Sequence, residues 1–268
     1  MANPMLVPGK MYRYRMSAGL VALVALLTGL VTINAQPASA STRKLCGRGQ
    51  HIRVRTHGGR QFSVRNDFWG TRKFCLSNTN HRPNFTVVKH GSNILGGGVM
   101  AYPDVFTGCA WSICTPDSKL PARARDLRKP KATWHTTGHA KGRWNASFDL
   151  WFAKHNITTG QANGAELMIW LNTRRLPLDS TRIVHVDGVR WYLAHWRPSH
   201  SGGTWNYIQF RRVHRKRSVK NLRLGPFIHY SERLGLIKRR WWLLNIEAGF
   251  EIQRGGKGLS GRRFWARA

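Results

Sequence analysis

Carboxylates are scarce enough in this chain to be weighed one at a time. The 268 residues carry 44 Lys and Arg but only 11 Asp and Glu, and four of those acids are glutamates: Glu166, Glu232, Glu247 and Glu251. In so basic a chain most acids can serve as counterions on a solvated rim. Three of them sit where that role is costly. Glu166 opens the apolar run 166–171 (ELMIWL), Asp149 stands in the middle of 145–152 (NASFDLWF), and Glu251 ends an apolar run beside Gly249. A charge in such surroundings is unfavourable unless it has a partner or a task. Two carboxyl groups facing one another can divide the work of cleaving a glycosidic bond. One attacks or stabilises the anomeric carbon while the other, still protonated, releases the leaving oxygen. A third carboxyl beside the first helps to separate their pKa values.

The elements that must position these groups follow from alternation, since successive side chains on a strand point to opposite faces. In 145–152, Ala146, Phe148, Leu150 and Phe152 share one face, and Asn145, Ser147, Asp149 and Trp151 share the other. In 166–171, Leu167, Ile169 and Leu171 turn inward and Glu166, Met168 and Trp170 turn outward together. In 243–252 the apolar set is Leu244, Ile246, Ala248, Phe250 and Ile252, opposite Asn245, Glu247, Gly249 and Glu251. Each strand therefore has a core face and a face of carboxylate, amide and aromatic groups. If the sheet curves so that the second face is concave, that face is a cleft.

Glycine and turn signals at 58–59, 96–98, 187–188, 202–203 and 255–256 separate short runs rich in Val, Ile, Trp, Tyr and Phe. This spacing predicts many antiparallel strands, hence an all-β sandwich. The clearest hairpin joins 183–186 to 189–193 around Asp187-Gly188, a pair suited to a tight primed turn. Only residues 221–236 could hold a helix, and they contain Gly225-Pro226.

Composition narrows the class further. The 41% hydrophobic and 11% aromatic content, with 12 Trp, excludes a disordered polycation. A single continuous apolar stretch, Gly19 to Val31, excludes a polytopic membrane protein. That stretch follows Lys10, Arg13 and Arg15 and precedes Ala38-Ser39-Ala40, the pattern of a secretory signal cleaved after Ala40. Its rival is an uncleaved membrane anchor, which usually needs about twenty apolar residues. The expected organisation is a signal at 1–40 and one domain at 41–268, exported to the extracellular space and free of the membrane after cleavage. Export permits disulfides. The four cysteines allow three pairings; Cys109 and Cys114 flank a Trp-Ser turn and favour local closure, which leaves Cys46 to join Cys75. A zinc site fits poorly, because the Cys-x-x-Cys spacing is absent and His51, His57 and His81 are irregularly placed.

The motifs resemble those of glycoside hydrolase family 12, secreted β-jelly-roll endoglucanases and xyloglucanases. The matching pieces run in the family's order: 66–70 (NDFWG), 101–109 (AYPDVFTGC) with Cys114, 145–152, 166–171, 188–193 (GVRWYL) and 248–251 (AGFE). The resemblance implies a jelly roll of two antiparallel sheets with a concave cleft and retaining cleavage of β-1,4-glucosidic bonds. Glu166 would be the nucleophile, Glu251 the general acid/base, and Asp149 the carboxyl that orients Glu166. Trp69 and Trp170 would stack on sugar rings, Met168 would lie between the glutamates, and Asn66 and Asn145 would bind sugar hydroxyls. The partner would be a β-glucan, the protein a monomer, and no metal or organic cofactor is implied. Asp67 stands where the family usually has Asn, Ile252 where it usually has Pro, and Ala110 where it often has His.

Two readings stand beside the enzyme: a non-catalytic glycan-binding jelly roll, and a basic protein that adheres to anionic surfaces. Basic runs at 123–131 and 211–220 carry the latter. Specific nucleic-acid binding finds no motif. A lectin has no use for two facing carboxylates, whereas adhesion by charge would collapse in salt whichever glutamate were changed.

Overall fold

The computed structural model describes residues 40–268 apart from Gly138, Ser201 and Gly202. The expected export signal therefore lies outside the described residues except for Ala40. Two sheets pack face to face. The smaller has six strands, in spatial order Thr42–Leu45, Phe74–Thr79, Phe85–His90, Ser260–Arg267, Lys131–Thr137 and Ser218–Arg223. The larger runs Ile183–Val186, Val189–Trp196, Asn206–Arg212, Ala165–Arg174, Gly142–Ala153, Asn245–Gly249, Asp104–Ala110, Gln61–Asn66 and Gln50–Arg55, with short strands appended. This is the expected sandwich. One nine-residue helix, Gly225–Arg233, falls inside the predicted window. Pro226 sits at its start, where a missing N–H costs nothing.

The core lies between the sheets and is built from the faces that alternation assigned. Phe148, Leu150, Phe152, Leu167, Ile169, Ile246 and Ala248 are all fully buried in it. Trp134 of the smaller sheet meets Phe148 and Phe250 of the larger, with ring centroids 6.0 and 5.2 Å apart. A large apolar side chain buried this fully contributes about 1.5–3 kcal/mol. The Asp187-Gly188 hairpin forms as expected, with φ of 53° and 74° at the two turn residues. Both disulfides form as expected, Cys46–Cys75 and Cys109–Cys114. The first ties the N-terminal strand to its antiparallel neighbour, where Leu45 pairs with Leu76.

Two local features depart from the reading of the sequence. The strands Ala165–Arg174 and Asn206–Arg212 pair in parallel, against the expectation of purely antiparallel sheets. The hairpin between them in sequence takes the outer position, so the later strand returns to fill the gap, and a parallel return needs a long connection. The run 243–252 is also interrupted. Phe152 pairs with Leu243 but Asp149 pairs with Glu247, so one extra residue is accommodated near Leu244–Asn245. Leu244 consequently leaves the main core for a small cluster with Ala153 and Ala162. From Ile246 onward the alternation holds.

Candidate active site

The polar faces of four strands meet over one cavity of about 590 Å³ on the outer side of the larger sheet. Five of the chain's eleven acids line it: Asp67, Asp149, Glu166, Glu247 and Glu251. Strand pairing explains their convergence. Met168, Asp149 and Glu247 lie in one row across three neighbouring strands. Glu166, opposite Trp151, is the diagonal neighbour of Asp149 on the same face, a separation that side chains can span. Glu251 sits opposite Asn145, whose amide N–H donates to the Glu251 carbonyl at 3.0 Å. Gly249 lets its strand pass under Tyr102, because a Cβ there would lie 2.8 Å from the ring and 2.6 Å from the Pro103 carbonyl.

The carboxyl groups differ in their partners. Glu166 is 8% exposed and accepts the Trp205 indole N–H at 2.8 Å. Burial pushes its pKa well above the ordinary range, the charge of Glu251 adds to the rise, and the indole bond opposes it. Glu251 accepts a hydrogen bond from the Asn145 side-chain amide. Burial lifts Glu251 to about 7, with the Asn145 bond opposing. Asp149 is raised first by burial and then by the charges of Glu166 and Glu251, and its Oδ1 is buried with no hydrogen-bond partner among the described residues.

Beside them is a group that sequence reasoning passed over. Arg65, 3% exposed, is the one basic side chain among the described residues that line the cavity, and it is shared by three acids. It pairs with buried Asp104, with Glu247 at 3.1 Å and with Asp67 at 3.5 Å. Its neighbours hold it charged despite burial. Divided among three acids, it fails to offset the burial of Glu247, which rises to about 7. Asp67, the departure from the family's Asn, is thus part of an ion-pair cluster. Ile252, the departure from Pro, donates its backbone N–H to Ala101 at 2.9 Å, a bond that proline could not make. Ala110 is buried.

Of the residues expected to bind sugar, Trp69 and Met168 line the cavity. Trp69 is 42% exposed and offers its ring to solvent. Asn145 acts on Glu251. The structure does not bring Asn66 or Trp170 to the cavity. Asn66 is fully buried and donates to the Gly47 and Phe74 carbonyls, each at 3.1 Å, so its amide holds the chain instead. Trp170 is covered by the Arg211 guanidinium 5.9 Å from its ring and packs with Tyr102, Met168 and Tyr207. The aromatic lining that sequence reasoning missed is Trp111, Trp151, Trp205 and Tyr102, with Trp111 56% exposed. Trp151 alone carried a signal, since it shares the Asp149 face.

Comparison with known proteins agrees with this geometry. The sequence model of glycosyl hydrolase family 12 matches residues 60–266. The chain belongs to this family. Among solved structures, a metagenome-derived family 12 endoglucanase is 34% identical, covers 84% of this chain and 97% of its own, and superposes with a TM-score of 0.75. An endoglucanase from Rhodothermus marinus is likewise 34% identical, with 84% and 98% coverage and a TM-score of 0.75. A family 12 xyloglucanase from Bacillus licheniformis, at 19% identity, 86% and 99% coverage and a TM-score of 0.72, shares the fold. Among curated proteins no sequence matches. This family 12 protein is a glycoside hydrolase of the cellulase-like kind, with a jelly-roll sandwich.

Proposed function

We propose that the protein is an exported endo-β-1,4-glucanase that cleaves with retention, Glu166 acting as nucleophile and Glu251 as acid/base. One observation carries this reading: Glu166 and Glu251 open onto the same cavity with different partners. A proton donor must keep its proton at the working pH, and Glu251, lifted to about 7, keeps it throughout the acid range. While Glu251 is neutral it does not repel Glu166, and the Trp205 N–H stabilises the Glu166 carboxylate. Glu166 is itself lifted by burial and by the Glu251 charge, so its ionisation is favoured while Glu251 stays neutral. Asp149, diagonal to Glu166, is the third carboxyl and biases the nucleophile.

In the first step Glu166 attacks the anomeric carbon as the glycosidic bond breaks, and the Glu251 proton passes to the leaving oxygen. In the second, Glu251 takes a proton from water, whose oxygen displaces Glu166 from the same carbon. Exposed Trp69 and Trp111 offer flat apolar faces to the sugar rings along the cleft. The β-1,4-glucan preference rests on the two endoglucanases at 34% identity. Export rests on the N-terminal signal pattern and on the two disulfides.

Azide rescue tests the division of labour. Glu251→Ala should accumulate the glycosyl-enzyme from an aryl cellobioside with a good leaving group, and azide should release it as the β-glycosyl azide. Glu166→Ala should give no turnover on β-glucans, and azide should rescue it only to the α-anomer. Formation of the β-azide by Glu166→Ala would reverse the roles of the two residues.

A further inference from the structure

The surface away from the cleft has the opposite electrostatic character. There the smaller sheet and the loop after Gln50–Arg55 enclose a groove of about 780 Å³, larger than the cleft cavity. Arg82, Arg262, Arg263 and His57 line it, and no Asp or Glu is among its lining residues. Its floor includes Trp265, whose ring is flanked by the Arg60 guanidinium at 5.3 Å and the Lys131 ammonium at 5.8 Å. Beyond them Arg267 is close enough to depress the basicity of Arg60, after burial. None of these cations is ion-paired among the described residues.

The backbone explains why the arginines gather here. The strand Ser260–Arg267 slips register between Arg262 and Trp265 against its neighbour Lys131–Thr137. Arg263 occupies that irregularity with φ of 53°, a left-handed conformation that is unusual for arginine. Phe264, between the outward-facing groups, is buried in the core. A bulge re-aims side chains, and at this one Arg262 and Arg263 are both exposed on the groove while the Trp265 indole is half-buried.

We propose that this groove binds a linear acidic polysaccharide, with Arg82, Arg262 and Arg263 taking sugar carboxylates above a floor in which the Trp265 ring holds the Arg60 and Lys131 cations. Two observations select this ligand class. The cations have no protein counterions among the described residues, and guanidinium groups bind carboxylates through paired N–H donors. A single-stranded nucleic-acid channel stacks successive bases on several rings, whereas Trp265 is the one indole among the described residues lining the groove. The groove would hold the hydrolase on an acidic polymer while the opposite face works on a neutral one. Cleavage of the acidic polymer is not required, so the proposal does not depend on the roles of Glu166 and Glu251.

The test is binding of short polygalacturonate to the purified protein by calorimetry at low and moderate salt. Neutral cello-oligosaccharide and oligothymidylate of similar length serve as comparators. We expect tight, salt-sensitive binding of the uronate. The variant Arg262→Gln/Arg263→Gly keeps the bulge, because glycine adopts positive φ freely, and should weaken uronate binding at least about tenfold. Trp265→Phe should weaken it less. Arg125→Gln/Arg128→Gln, exposed cations in another basic run, should leave it unchanged. Turnover of soluble β-glucan should be the same in all these variants. Equal losses in the two arginine double variants would reduce the effect to net charge and overturn the proposal. Absence of uronate binding, or tighter groove-dependent binding of oligothymidylate, would overturn it as well.

Discussion

Replacing Glu247 by glutamine removes a carboxyl that the fold holds in an unfavourable place. Glu247 is 2% exposed, and burial lifts its pKa from 4.5 to about 7 in spite of Arg65. A carboxyl whose folded pKa exceeds its unfolded value binds more protons in the folded state. Its stability contribution is therefore complete below pH 4.5 and is lost as pH rises through about 7. Each pKa unit corresponds to about 1.36 kcal/mol, so the native protein loses about 3 kcal/mol through this one group. Glutamine does not titrate, keeps the shape, and leaves Arg65 paired with Asp104 and Asp67. Between pH 5 and pH 8 the native Tm should therefore fall more than that of Glu247→Gln, by roughly 6–12 °C for a domain of this size. Calorimetric melting of both proteins at the two pH values measures the difference. Parallel curves, with equal falls in Tm, would refute the claim that burial of Glu247 outweighs its ion pair.

Trp205→Phe removes the N–H that stabilises ionised Glu166, so the acid limb of the kcat/KM profile should move to higher pH. Asn145→Ala removes the donor that favours ionised Glu251, so the alkaline limb should also move to higher pH, above about 7; a pH–rate series separates the two. Gly249→Ala forces a Cβ to within 2.6 Å of the Pro103 carbonyl and should destabilise by about 1–3 kcal/mol in urea titration. Loss of the Cys46–Cys75 bridge, which spans 29 residues, should cost about 3.5 kcal/mol, and loss of Cys109–Cys114, which spans 5, about 2 kcal/mol. Thermal melts of the paired Cys→Ser variants check that order.

Much of the site was legible from alternation, because a strand with one apolar face commits its other residues to the opposite face. Asp149, Glu166, Met168, Glu247 and Glu251 were all assigned to a polar face in this way, and all line the cavity. The rule fails where its local premise fails. At Leu244 one extra residue changes the phase, so an apolar side chain leaves the main core. Asn66 and Trp170 lie on strands bordering the site, yet one amide is consumed by backbone carbonyls and one indole is covered by Arg211.

The sandwich, the hairpin at Asp187-Gly188, both disulfides and the carboxylate face are local in origin. These depend on side-chain period, turn chemistry and the spacing of a few residues, all carried by short stretches of chain. The distant groups that complete the site come together through long-range strand pairing. Arg65 reads as one more cation among 44 until folding sets it between Asp67, Asp104 and Glu247. Trp205 lies 39 residues after Glu166, and only the parallel return of its chain brings the indole to that carboxylate. The separation of charge is likewise three-dimensional: five acids converge on the cleft, and the arginines beside Trp265 gather on the opposite face. Pairing between strands far apart in the chain sets these neighbours, and no local pattern encodes them.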